Sequence, residues 1–159
     1  MRRVVRQRLV LVAIVVALGG AVGWQVHSDN HEAGEHRLLP PAKTVDDLQV
    51  VFRGAAPLHF VKHDGHWRDA STQAPVDDGW VDEMAALGAT PVREWRSAGE
   101  FEADKIGLSP PAAMLTLDGR RVEYGDLAAV GQQRYVRVDN RIGFIPDGAM
   151  PRAPRTKSL

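Results

Sequence analysis

The sequence predicts an α+β domain: a mostly antiparallel sheet of about six to seven strands with one main covering helix, behind an N-terminal transmembrane helix. Three observations predict it. Two Asp-Gly dipeptides, at 64–65 and 118–119, each sit between strand-like runs, the signal of a two-residue hairpin. Beyond the first thirty residues, 75–89 is the one substantial stretch with apolar residues at helical spacing. Residues 9–26 form an 18-residue run without a charge.

Residues 1–8 read as a cytoplasmic basic N-terminus, with Arg2, Arg3, Arg6 and Arg8. As a helix, 9–26 would span about 27 Å, close to the hydrocarbon thickness of a bilayer. Arginines on its leading flank orient it with the N-terminus in the cytoplasm, so the chain beyond residue 26 is expected in the periplasm or at the cell exterior. Trp24 falls at the far interface, where an indole is favoured. A cleaved signal peptide is the rival reading, since a basic region, an apolar core from Leu9 to Leu18 and the small residues Ala21 and Gly23 are all present. The apolar run exceeds the usual length of such a core, which favours a single-pass inner-membrane anchor. Residues 27–43, rich in His, Glu, Asn and Gly and containing Pro40-Pro41, show no period and read as a flexible tether.

The folded part is expected over 44–146. In 44–53, Leu48, Val50 and Phe52 alternate with Gln49 and Arg53, the period of a half-buried strand. A second strand, 58–63, turns at Asp64-Gly65 and so opposes Lys62 to Trp67 and His63 to His66. Leu58, Phe60 and Trp67 then line the core face; His59, Val61, His63 and His66 line the other. The helix over 75–89 has Asp77 as N-cap, Asp78, Asp82 and Glu83 near its positive end, and an apolar stripe of Trp80, Val81, Met84 and Leu87. Gly88 is placed to end it. A short strand is expected over 90–95 and a single polar turn over 97–105.

The stretch 106–117 comes next, a turn at Gly107, the brace Pro110-Pro111, and a strand from Ala112. The Asp118-Gly119 turn opposes Leu117 to Arg120, Leu115 to Val122 and Ala113 to Tyr124. Leu115, Val122 and Tyr124 therefore share a core face, and Gly125-Asp126 is expected to end the strand. Two more strands, 134–138 and 142–145, lie beyond it with a register open by one residue, and 147–159 reads as a disordered basic tail.

Composition narrows the function. There is no cysteine, which excludes disulfides, Cys-ligated zinc, thiol catalysis and a lipid-carrying cysteine. Four of the twenty basic residues precede the apolar run, leaving sixteen against twenty acidic ones beyond it. A domain of that sign has no general attraction for nucleic acid.

Asp64-Gly65-His66-Trp67, then Ala74-Pro75-Val76-Asp77 and a helix ending Ala85-Ala86-Leu87, resemble the first half of the DUF4340 domain. Ile106-Gly107-Leu108-Ser109-Pro110-Pro111-Ala112, a strand, Gly125-Asp126, then Arg134-Tyr135-Val136-Arg137-Val138 are similar to its second half. The resemblance covers about 44–146. It implies a membrane-anchored protein with its domain outside the cytoplasm, in a family of unknown function, some members of which are associated with ABC-type transport systems. It implies no catalytic residues.

Candidate sites are few. His27, His31 and His36 fall in the expected tether. His59 and His63 are four strand residues apart, about 13 Å, too far to share an ion. Only the opposed His63 and His66, with Asp64 near, form a candidate metal site, and two histidines alone make a weak, open one. Asp77, Asp78, Asp82 and Glu83 invite an acid–base reading, yet a helix start accounts for them. Ser109 lacks a nucleophile elbow, and no phosphate loop, dinucleotide fingerprint or zinc-protease helix occurs. Trp67 and Trp80 read as core anchors, while Trp95 between Arg93 and Arg96 suits either burial or an interface.

The expectation is a non-enzymatic, membrane-anchored periplasmic accessory or interaction domain without a cofactor. Its expected partners are the inner membrane, through 9–26, and other envelope proteins such as ABC transporter components. The alternatives are a secreted small-ligand-binding protein and a weak metal-binding domain using His63 and His66.

Overall fold

The computed structural model describes residues 36–129 and 131–154. The N-terminus 1–8, the expected anchor 9–26, the part of the tether up to 35 and the end of the tail from 155 lie outside the described residues. Among the described residues, no helix is long and apolar enough to cross a membrane.

The described chain forms one eight-stranded sheet with a single short α-helix. In chain order the elements are β1 (Asp47–Phe52), β2 (Leu58–His63), β3 (His66–Asp69), α1 (Asp78–Ala86), β4 (Trp95–Ser97), β5 (Ala113–Leu117), β6 (Arg120–Leu127), β7 (Gln133–Val138) and β8 (Arg141–Pro146). Across the sheet the order is β3-β2-β1-β5-β6-β7-β8-β4, and every neighbouring pair is antiparallel. Two meanders, β1–β3 and β5–β8, thus meet along β1 and β5, where Leu48 faces Leu117 and Val50 faces Leu115.

Both Asp-Gly turns take the backbone that a right-twisted hairpin requires. Asp64 and Gly65 have φ of 51° and 83°, Asp118 and Gly119 of 46° and 79°. The expected registers result: Lys62 faces Trp67, His63 faces His66, Leu115 faces Val122, and Ala113 faces Tyr124. The open register of the last hairpin resolves as Val138 opposite Arg141, a two-residue turn at Asp139-Asn140.

Alternation then sorts the faces. Leu48, Val50, Phe60, Trp67, Leu115, Val122, Tyr124, Val136 and Ile145 are buried on one face, under Val81 and Met84 of α1. The opposite face of β7 and β8 has its own small core, in which Ile142 and Tyr135 pack with Ile106, Leu108 and Phe101. The chain therefore crosses one face through α1 on the way out to edge strand β4. It returns to central β5 along the other through 98–111.

Several expectations are corrected. The tether does not extend to 43: Leu38 and Leu39 are buried in the main core, and their amides donate to Thr90 O at 3.0 Å and Gly88 O at 2.9 Å. Two adjacent leucines are too short a run to show a period, but enough to pin a chain once a surface accepts them. Nor is the tail disordered from 147. Ala149 and Met150 pack on the core, Pro151 is buried, and Trp80 Nε1 donates to Arg152 O at 3.2 Å. The helix starts at Asp78, because 74–76 is drawn to the edge of β3, where Asp69 N donates to Ala74 O and Val76 N to Trp67 O. Residues 90–94 form no strand; β4 lies just after them. Finally, β6 does not stop at Gly125-Asp126 but runs to Leu127 through an irregularity in its pairing with β7.

Candidate functional site

The acidic start of α1 is a clasp. Asp77 caps the helix by accepting from Trp80 N at 3.3 Å. Asp78 accepts from Trp67 N at 2.6 Å through Oδ1 and meets His66 Nδ1 at 2.7 Å through Oδ2. Asp82 Oδ1 accepts from the Trp67 indole at 2.7 Å and from Lys62 at 3.2 Å. These bonds hold both carboxyls below their ordinary range. For Asp78 the His66 bond is the largest cause, followed by the Trp67 amide; for Asp82 it is the Trp67 indole. The carboxylates bind α1 to the β2–β3 hairpin.

His63 and His66 stand opposite each other, but the His66 ring is engaged by Asp78. His59 meets Asp47 at 2.8 Å. Among the described residues, no group of three or more His, Asp or Glu side chains is placed to hold a metal ion. Ser109 is exposed in its turn. Trp67 is a core anchor at 1% exposure, Trp80 meets Phe60 edge-on at 5.4 Å, and Trp95 is half-buried beneath Arg141 at 4.7 Å.

The 106–117 stretch is a close-packed joint. Arg53 donates to the carbonyls of Gly107 at 3.2 Å, Pro110 at 2.7 Å and Pro111 at 3.2 Å, groups that no sheet ladder reaches. Asp126 N donates to Ile106 O at 2.8 Å, and Gly125 is so close to that carbonyl that a Cβ would lie 2.4 Å from it.

Two cavities of some size mark the described surface: a wide, polar one of about 700 Å³ beside β4, and a narrower groove of about 530 Å³. In the groove, one wall is the chain from Arg37 to Val45, another is the end of α1 and its adjoining turn, and the third is the β5–β6 hairpin tip. Leu39, Val45, Ala85 and Leu117 supply apolar surface. Arg37, Lys43, Lys62 and Arg120 supply cations, against Asp82 and Asp118. Both carboxylates have other work: Asp82 holds Trp67 and Lys62, and Asp118 accepts from Asp46 N at 3.1 Å and Asp47 N at 2.9 Å. No local motif signals this groove, because its walls are distant in sequence and the 37–43 wall reads as tether.

Family models, characterised proteins and solved structures yield no match to the chain.

Proposed function

We propose that the chain is a single-pass membrane protein, anchored through 9–26 with its N-terminus in the cytoplasm, whose domain acts outside the cytoplasm as a non-enzymatic interaction module of an envelope complex. The observation that carries this reading is the 18-residue uncharged run with Arg2, Arg3, Arg6 and Arg8 just ahead of it, while the first lysine or arginine beyond it is Arg37. Two further observations support it. The acidic cluster at the start of α1, the Asp78–Trp67–Asp82 clasp, is occupied in holding elements together. The resemblance to the DUF4340 domain points to the same setting and, within it, to ABC-type transport assemblies.

The reading is tested by fractionating cells that make the full chain. Retention in carbonate-washed membranes is expected, with Met1 or its neighbour still at the N-terminus by mass spectrometry and the domain cut by protease added to spheroplasts. Release as a soluble protein cleaved before Trp24 would replace it with the secreted small-ligand reading.

A further inference from the structure

We propose that the groove bordered by Arg37, Lys43 and Arg120 is a docking site for an acidic, partly apolar peptide segment of a partner protein. This deepens the interaction-module reading and takes from it the place where the partner is met.

Three features of the groove lead to that occupant. The first is charge. The side chains of Arg37, Lys43 and Arg120 are exposed and form no ion pair with a described residue, and all three line one groove. Arg134, Arg137 and Arg96 by contrast are held, by Asp147 at 2.7 Å, by Glu123 and by Glu94 at 2.9 Å, whereas Arg93, Arg141 and Arg152 form no ion pair with a described residue but share neither of the two cavities with one another. Four cations against two carboxylates, Asp82 and Asp118, leave the described lining net positive, which suits a ligand that brings carboxylates.

The second is the wall itself. The backbone amides of Ala42, Lys43, Thr44 and Val45 make no hydrogen bond to a described residue. The residues that carry them line the groove, beside its cations and an apolar floor at Leu39 and Val45. A peptide uses all three, with backbone, acidic side chains and apolar side chains each meeting a counterpart. A lipid phosphate would use the cations and leave the main-chain groups unmatched.

The third is pre-organisation. Leu38 and Leu39 fix one wall through Thr90 and Gly88, and Asp118 ties the hairpin tip to the amides of Asp46 and Asp47. Walls held in place lose little freedom on binding.

The test uses the full chain in detergent and a short fluorescein-labelled peptide of alternating glutamate and leucine, read by anisotropy. Binding at low salt that weakens as salt rises is expected, with a glutamine–leucine peptide binding less tightly. The triple variant Arg37→Gln/Lys43→Gln/Arg120→Gln is expected to bind about tenfold more weakly with an unchanged melt. Ala86→Glu, a like charge on the exposed helix end of the groove, is expected to weaken binding as well. Arg121→Gln, adjacent in sequence but pointing to the other face, is expected to bind as the parent does. Equal affinity for the glutamate and glutamine peptides, or parental affinity in the triple variant, would overturn the proposal. So would binding of a short-chain phosphatidylglycerol with none of the glutamate peptide, which would make the groove a lipid-facing patch. Peptide binding by a chain that fails to stay in membranes would uphold the docking site and strike the anchor reading alone.

Discussion

The Trp67 indole donates to Asp82 Oδ1 at 2.7 Å, across the seam between β3 and the middle of α1. Trp67 is 1% exposed, so its N–H has no recourse to bulk water. Asp82→Ala is expected to lower the unfolding free energy by about 1 kcal/mol, although alanine is the better helix former. Urea unfolding of parent and variant checks it; equal midpoints would mean that the clasp contributes nothing.

The same clasp sets an acid limb. Hydrogen bonds from His66 and the Trp67 amide hold the Asp78 carboxyl low, the Trp67 indole does the same for Asp82, and Asp69 is lowered to about 2, chiefly by the Ser71 hydroxyl and then the Thr72 amide. In the unfolded chain these groups return to about 3.9, so in acid the unfolded state binds more protons. Their contribution is present above about pH 4 and is lost as pH falls through the lowered folded values. The melting temperature is expected to drop steeply from about pH 5 to about pH 2, and less steeply in Asp78→Asn/Asp82→Asn. Parallel curves would contradict the assignment.

Gly125 is where β6 passes under Ile106. Its missing side chain admits the Ile106 carbonyl and brings Leu108 Cγ to 3.1 Å of where a Cβ would sit. Gly125→Ala is expected to cost about 1–3 kcal/mol, because a backbone carbonyl, not a flexible tip, would have to move. Gly119→Ala has open space but a φ of 79°, and serves as the comparison for backbone strain alone. Thermal melts of the two variants separate the effects; an unperturbed Gly125→Ala would show the crossing to be loose.

Tyr124 is fully buried, and its hydroxyl has no hydrogen-bond partner among the described residues. Burial also pushes its ionisation well above the ordinary range. Removing an unpaired buried hydroxyl removes a desolvation cost, so Tyr124→Phe is expected to be neutral or to stabilise by about 1 kcal/mol. A loss of stability in urea unfolding would mean that the hydroxyl has a partner after all.

Much of the sheet is legible because its hairpins are locally coded. An Asp-Gly pair at positive φ fixes which residues oppose, and opposition fixes the faces; this is why Trp67 and Tyr124 fall on the core side as expected. The Asp77 cap is legible for a similar reason, one side chain meeting one amide. What is not legible depends on distant partners. Leu38-Leu39 and Met150-Pro151 have no period of their own and acquire a role only when Gly88 and Trp80 lie beside them. β4 is three residues long and exists through its pairing with β8. The groove joins 37–45, 85–89 and 117–120, so its cations look like unrelated surface charges along the chain.

If this domain meets a partner protein in the envelope through its groove, a probe on the groove wall must lie against that partner. The most direct measurement places a photo-crosslinking residue at Ala42 in the full chain in intact cells, and maps the adduct by mass spectrometry. A discrete adduct to an acidic segment of another envelope protein is expected, lost when the glutamate–leucine peptide competes in isolated membranes and in the Arg37/Lys43/Arg120 glutamine variant. Monomer alone, or an adduct indifferent to both, would contradict docking through the groove.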